Sequence, residues 1–203
     1  MKSQYQDFSG YILAGGKSSR MGQDKAFLKI DGKTFLHNSV GILNPICEDR
    51  IKIVLNPEQT DFIDRLPKNV AHIFDTYYDR GPVGGIHAAL KDCKTEFALI
   101  IAVDQPLLGK TVIANLSRTA LDSGADVVIP KMENGRLQQL CTIFRVESAF
   151  PTLEKLLSNE TSSVSVLKFI ESLERIKLFE LDEHHGGFDN INKPEDYRQI
   201  NDD

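Results

Sequence analysis

Residues 11 to 28 read Tyr-Ile-Leu-Ala-Gly-Gly-Lys-Ser-Ser-Arg-Met-Gly-Gln-Asp-Lys-Ala-Phe-Leu. The stretch opens as a small apolar strand and passes at once into Gly15 and Gly16, where a backbone can bend tightly and come close to a ligand. Lys17, Ser18, Ser19, Arg20 and Lys25 follow close behind. A strand, a glycine turn and a cluster of cations and hydroxyls describe a seat for phosphates. Backbone N–H groups and hydroxyls donate to phosphate oxygens, and Arg and Lys supply charge. Two common phosphate loops are excluded. A Walker loop needs Gly-x-x-x-x-Gly-Lys, and Gly16-Lys17 lacks the earlier glycine. A dinucleotide fingerprint needs Gly-x-Gly-x-x-Gly, whereas Gly15 and Gly16 are adjacent.

Working outward, strands and helices alternate along the chain, which predicts an α/β fold with an open, mostly parallel sheet and helices on both faces. Strands are expected at 8–14, 51–55, 70–74, 97–103, 126–130, 140–144 and 173–181. Thr34 caps a helix expected to run to about Leu43, with Pro45 beyond its end. Further helical spacing covers 86–91, 111–122, 147–157 and 164–170, and a short helix is marked by Phe62, Ile63 and Leu66. Pro194 opens a terminal helix. No linker, repeat or low-complexity tract interrupts the pattern, so residues 1–203 are read as one domain.

Composition narrows the function classes. Hydrophobic residues at 41% with charged residues at 26% describe a globular chain rather than a disordered one. The net charge of −5 argues against a general nucleic-acid surface while leaving room for a local basic pocket. Cys47, Cys93 and Cys141 are far apart and odd in number, so neither a disulfide framework nor a zinc site is expected; each reads as a small buried hydrophobe. The N-terminal residues lack the apolar run of a signal peptide, and 97–103, the longest apolar run, is too short to cross a bilayer. No membrane contact and a reducing, cytoplasmic setting are expected.

Three polar residues end expected strands: Asn56, Asp75 and Asp104. In open α/β sheets ligands bind beyond the carboxyl ends of the strands, the edge where the glycine loop also lies. Asp104 ends the most apolar strand, and Mg²⁺ favours one or two carboxylates together with phosphate oxygens and water. Asp104 is therefore the expected metal ligand, with Mg²⁺ the expected cofactor. The histidines have no ligand spacing; His184 and His185 are neighbours and read as loop residues.

Residues 13 to 25 resemble the signature Leu-Ala-Gly-Gly-x-Ser-x-Arg-Met-Gly-x-Asp-Lys of the nucleotidyltransferases that build activated sugars and cofactors. Leu13, Ala14, Gly15, Gly16, Ser18, Arg20, Met21, Gly22, Asp24 and Lys25 carry the match, in the form most similar to the molybdenum cofactor guanylyltransferases. The resemblance implies a single Rossmann-like, GT-A-like domain that transfers GMP from GTP to molybdenum-bearing molybdopterin and releases pyrophosphate. It implies GTP contacts at Leu13, Ala14, Gly15, Gly16, Lys25, Asn56, Asp75 and Asp104. Arg20, Lys25 and Asp104 would serve the chemistry. Asp104-Gln105-Pro106 and Gly81-Pro82-Val83-Gly84-Gly85 also resemble family elements, as does Asn190-Ile191-Asn192-Lys193-Pro194-Glu195-Asp196, where Asn190 or Asn192 would return to the metal or acceptor side. Transient contacts with molybdoenzyme maturation proteins would follow. The chain departs from the pattern at Arg136-Leu137-Gln138-Gln139-Leu140, where relatives carry a Gln-Pro-Leu-like element facing the acceptor. Two other readings stand beside this one: a cytidylyl- or sugar-1-phosphate nucleotidyltransferase, and a nucleotide-binding regulator without catalysis. Gly15, where the cytidylyl branch tends to carry Ala, favours the guanylyl branch; Arg20, Lys25 and Asp104 together speak against a mere binder.

Overall fold

The structure is a computed structural model that describes residues 6–15, 24–158 and 164–181, apart from the side chain of Tyr78. Its centre is a seven-stranded sheet. Strand β1 (Phe8–Leu13) is followed by a small antiparallel hairpin of β2 (Lys29–Ile30) and β3 (Lys33–Thr34). Then come β4 (Ile51–Leu55), β5 (Ala71–Phe74), β6 (Phe97–Ala102), β7 (Val127–Lys131), β8 (Cys141–Arg145) and β9 (Ile176–Glu180). The spatial order is β5-β4-β1-β6-β8-β7-β9. All neighbours run parallel except β8, which is antiparallel to both β6 and β7. The expected mostly parallel sheet is therefore present, with one reversed strand inserted.

Strand burial explains the central placement of β1 and β6. Every residue of β6 is buried, as a strand covered on both faces requires. Side chains alternate between the two cores. Phe97, Leu99 and Ile101 face one with Phe8 and Ile12, while Ala98 and Ile100 face the other with Tyr11. The first core is closed by α1 (Phe35–Cys47) and α3 (Lys110–Ser123). The second is closed by α2 (Pro82–Asp92), α4 (Val146–Leu157) and α5 (Val166–Glu171). Cys47, Cys93 and Cys141 are all free and buried, as expected of small hydrophobes. Burial pushes the Cys47 thiol up to about 12, well away from a reactive thiolate at neutral pH.

Two helix boundaries differ most from the sequence expectation. Thr34 does cap α1, its hydroxyl accepting from the His37 N–H at 3.1 Å, but the helix runs through Pro45 to Cys47. Pro45 lies on the solvent side, so the Gly41 carbonyl deprived of its helical N–H remains near water, while Ile46 and Cys47 continue to bury the apolar face. Core packing outweighs the local cost of the proline. Helix α2 starts at Pro82 rather than near Ile86, because proline fits the first helical turn, where its missing N–H costs nothing. The expected helix at Pro194 lies outside the described residues.

The connections fix where a ligand can sit. From β1 the chain moves toward β4 and β5; from β6 it moves the other way, toward β7. The strand order thus switches between β1 and β6, and their carboxyl ends define the crevice of an open α/β sheet.

Candidate active site

A cavity of about 220 Å³ occupies that crevice. Leu13, Ala14 and Gly15 reach it from the end of β1, Asp75 from beyond β5, and Asp104 from beyond β6. Asp24, Lys25 and Ala26 close it from the segment after the glycine loop, with Phe62 and Leu140 in its wall. The ends of the strands are tied together by backbone bonds that outlast the ladder. Ala14 N–H donates to the Val54 carbonyl at 3.0 Å, and Val103 N–H donates to the Leu13 carbonyl at 3.1 Å. The sheet thus holds the first glycine in place on both sides. A Cβ on Gly15 would stand 3.1 Å from the Asn56 nitrogen, so glycine here lets β1 leave the sheet close against the end of β4.

Lys25 and Asp104 form the charged centre. Lys25 Nζ lies 3.4 Å from Asp104 Oδ2, and both side chains are about four-fifths buried, at 18% and 22% exposure. Asp104 Oδ1 has no protein partner among the described residues. A single carboxylate with one oxygen open, next to a cation and facing a cavity, suits a magnesium ion that takes most of its ligands from phosphate and water. Among the described residues no three His, Cys, Asp or Glu side chains cluster as an all-protein metal cage.

Asp75 is only 7% exposed and lines the same cavity. Burial raises its carboxyl above the ordinary 3.8, while the Tyr77 N–H, donating to Oδ1 at 2.7 Å, pulls it back and Asp79 pushes it up again. The first turn of α2 presses directly on this carboxylate. A Cβ on Gly84 would fall 2.2 Å from the Tyr77 carbonyl oxygen and 2.7 Å from each Asp75 oxygen. No side chain fits there, which gives the Gly-Pro-x-Gly-Gly run its structural reason.

Asn56 stands differently. It follows β4 beside Gly15, but it does not line the cavity. Its Oδ1 accepts from the Glu58 N–H at 2.9 Å and its backbone N–H donates to Gln59 Oε1 at 2.8 Å, closing a local turn. Gln59 also reaches the Ala14 carbonyl, with Nε2 at 3.3 Å. Sequence reasoning missed Gln59, although its place three positions after a turn-forming Asn could have flagged it. Phe62, expected as a helix marker, also packs edge-on against Phe27 with ring centroids 4.8 Å apart and forms part of the cavity wall. Gly16, Arg20, Asn190 and Asn192 lie outside the described residues, as do His184 and His185.

A strand-end cavity with a glycine turn, a Lys–Asp pair and a buried carboxylate is the geometry expected of a nucleotide seat, and the comparisons with known proteins agree. Residues 10–176 match the family model of the MobA-like NTP transferase domain. The chain belongs to this family. It is 34% identical over 203 residues to "Probable molybdenum cofactor guanylyltransferase" of Clostridium perfringens, covering 95% of both chains. The fold is shared with the crystal structure of molybdopterin-guanine dinucleotide biosynthesis protein A from Archaeoglobus fulgidus, with a TM-score of 0.78, 22% identity and coverage of 96% of this chain and 97% of that one. It is also shared with 4-diphosphocytidyl-2C-methyl-D-erythritolsynthase from Anaerococcus prevotii, with a TM-score of 0.72, 15% identity and coverage of 96% and 94%. MobA-like family membership makes this chain a nucleotidyltransferase, while the two structural likenesses speak to fold alone. No helix among the described residues is long and apolar enough to cross a membrane.

Proposed function

We propose that this chain transfers GMP from GTP to the phosphate of molybdenum-bearing molybdopterin, forming the guanine dinucleotide cofactor and releasing pyrophosphate. The observation that carries the reading is the Lys25–Asp104 pair facing the same cavity as the buried Asp75 and the Gly15 turn. The name of the Clostridium perfringens relative supports the same donor and acceptor. An oxygen of the acceptor phosphate attacks the α-phosphorus of GTP, and the bond from that phosphorus to the oxygen bridging to the β-phosphate breaks. No covalent enzyme intermediate is needed, because the attacking oxygen is already anionic.

The work left to the protein is positioning and charge stabilisation. Lys25 and Arg20 offset charge on the α-phosphate and the departing pyrophosphate. Gly15 and Gly16 bring backbone N–H donors to phosphate oxygens. Asp75 accepts from the N–H groups of guanine, whose arrival replaces the water it lost on burial. Asp104 would hold magnesium, which when bound would supply neutralisation of phosphate charge. Asn56 borders the nucleotide through its turn, and Asn190 or Asn192 serves the metal or acceptor side. The proposal takes residues 1–203 as one nucleotidyltransferase domain. It sets the reaction in the cytoplasm, in transient contact with the proteins that mature molybdoenzymes; three buried free thiols support a reducing compartment.

The test is pyrophosphate release with Mg²⁺, molybdopterin and molybdate, offering each of the four common nucleoside triphosphates separately. Release with GTP alone is expected. Release with CTP instead would move the enzyme to cytidylyl transfer, and saturable GTP binding without release would make it a regulator.

A further inference from the structure

We infer that Gln105 selects the acceptor by its ring, an inference that rests on the reading above of a pterin acceptor bearing a phosphate. Gln105 directly follows Asp104 and is 2% exposed. Its Oε1 is buried without a hydrogen-bond partner among the described residues. Buried polar atoms in folded proteins are almost always paired, and a solitary amide oxygen out of water is unfavourable. The atom is therefore open to a partner beyond the described residues, and a bound ligand is the one we infer.

The surroundings say what kind of partner. Gln105 lines a second cavity of about 570 Å³, together with Arg136, Leu137, Leu140, Leu167 and Glu171. Leu140 also lines the first cavity, so the two share a wall. The single step from Asp104 to Gln105 leads from the phosphate centre of one cavity into the other. Leu137, Leu140 and Leu167 supply apolar surface for a flat ring; Gln138 and Gln139 join Arg136 and Glu171 in the lining, and Gln105 is the one whose amide oxygen is buried without a partner among the described residues. A primary amide carries an acceptor oxygen beside a donor NH₂. Its complement is a lactam edge, N–H beside C=O, as found on a 2-amino-4-oxo-pteridine. Gln105 is absent from the lining of the first cavity, where Asp75 sits, so guanine recognition does not involve it.

The reversed strand makes the arrangement possible. Because β8 runs antiparallel to β6, the start of β8 rather than its end meets the carboxyl end of β6, and the Ala102 N–H donates to the Leu140 carbonyl at 2.9 Å. Residues 136–140 are thereby brought beside Asp104 and Gln105.

The experiment compares wild type with Gln105→Leu, using pyrophosphate release at varied molybdopterin and varied GTP, with thermal unfolding alongside. The expected result is a molybdopterin KM raised at least about tenfold, a GTP KM unchanged, and an unfolding midpoint equal to wild type or higher, since leucine brings no orphaned atom. A molybdopterin KM within about threefold of wild type overturns the inference. A lower midpoint with both KM values raised together also overturns it, by assigning Gln105 to the fold. Gln105→Met, of similar length and without the amide, serves the same comparison if the leucine variant does not fold. Wild-type protein that releases no pyrophosphate overturns the parent reading and this one with it; normal wild-type turnover with an unaffected variant overturns this one alone.

Discussion

Lys25 and Asp104 are 79 positions apart in sequence and 3.4 Å apart in space. Their roles are separable by experiment. Lys25→Ala is expected to leave the fold intact and cut turnover by about 10- to 150-fold, since a hydrogen bond to a charged group contributes roughly 1.5–3 kcal/mol, here realised in the transition state. Steady-state pyrophosphate release with a circular-dichroism control reads this out, and turnover within threefold of wild type would remove Lys25 from the chemistry. Asp104→Asn keeps the shape and removes the charge. It is expected to raise the Mg²⁺ concentration needed for half-maximal rate while changing GTP affinity little, and an unaltered magnesium titration would count against it as the metal ligand. At this scale the meeting of Gly15, Lys25, Asp75 and Asp104 at one crevice was legible, because in open α/β sheets polar residues that end neighbouring strands converge at the carboxyl edge. Gln59 and Gln105 were not, because an amide that stitches a turn and one left without a partner look alike in a sequence. Asn56 was legible as a strand-end turn residue but not in its detail, since the same side-chain oxygen that could meet a ligand closes an Asx turn.

Among the elements, most strands and helices were legible from apolar period and capping residues, and Thr34 capped where its sequence said it would. The orientation of β8 was not legible. A short buried apolar run reads the same in either direction, and only its pairing with β6 and β7 decides which end meets the crevice. Pro45 misled for a related reason: its local effect is to stop a helix, whereas the buried Ile46 and Cys47 that carry α1 onward act through tertiary packing. The helix therefore contains a removable cost. Pro45→Ala restores one backbone hydrogen bond and gives back some freedom to the unfolded chain. A net gain of about 1–2 kcal/mol is expected, raising the unfolding midpoint by roughly 2–8 °C for a domain of this size. An unchanged or lower midpoint would mean that the helix end relies on the stiffness of the proline.

For the molecule as a whole, the core on the α2 and α4 side contains a titratable group. His87 is 2% exposed, has neither ring nitrogen hydrogen-bonded among the described residues, and is packed edge-on to Tyr77 with ring centroids 4.8 Å apart. Burial lowers its pKa from the ordinary 6.5; Glu154, whose carboxylate is 3.6 Å from Nε2, opposes this, and Lys91 adds to it. The unfolded chain therefore takes up a proton at a higher pH than the native one. His87 contributes stability that is full above pH 6.5 and is lost as pH falls from there through the lowered native value. Denaturant unfolding is expected to weaken over that window in wild type and to flatten there in His87→Leu; equal slopes in the two proteins would exclude His87 as the source. The sheet order also bears on how the chain is made. Strand β1 leaves the ribosome well before one of its two partners, β6, which begins only at Phe97. Until then a nascent chain can pair β1 with β4 alone, so a central strand built for burial is temporarily an open, apolar edge, the feature that invites pairing between chains. The interval from Leu13 to Phe97 is thus when a translating cell has most need to shield this protein, and a message cut short before β6 would yield a product prone to aggregate.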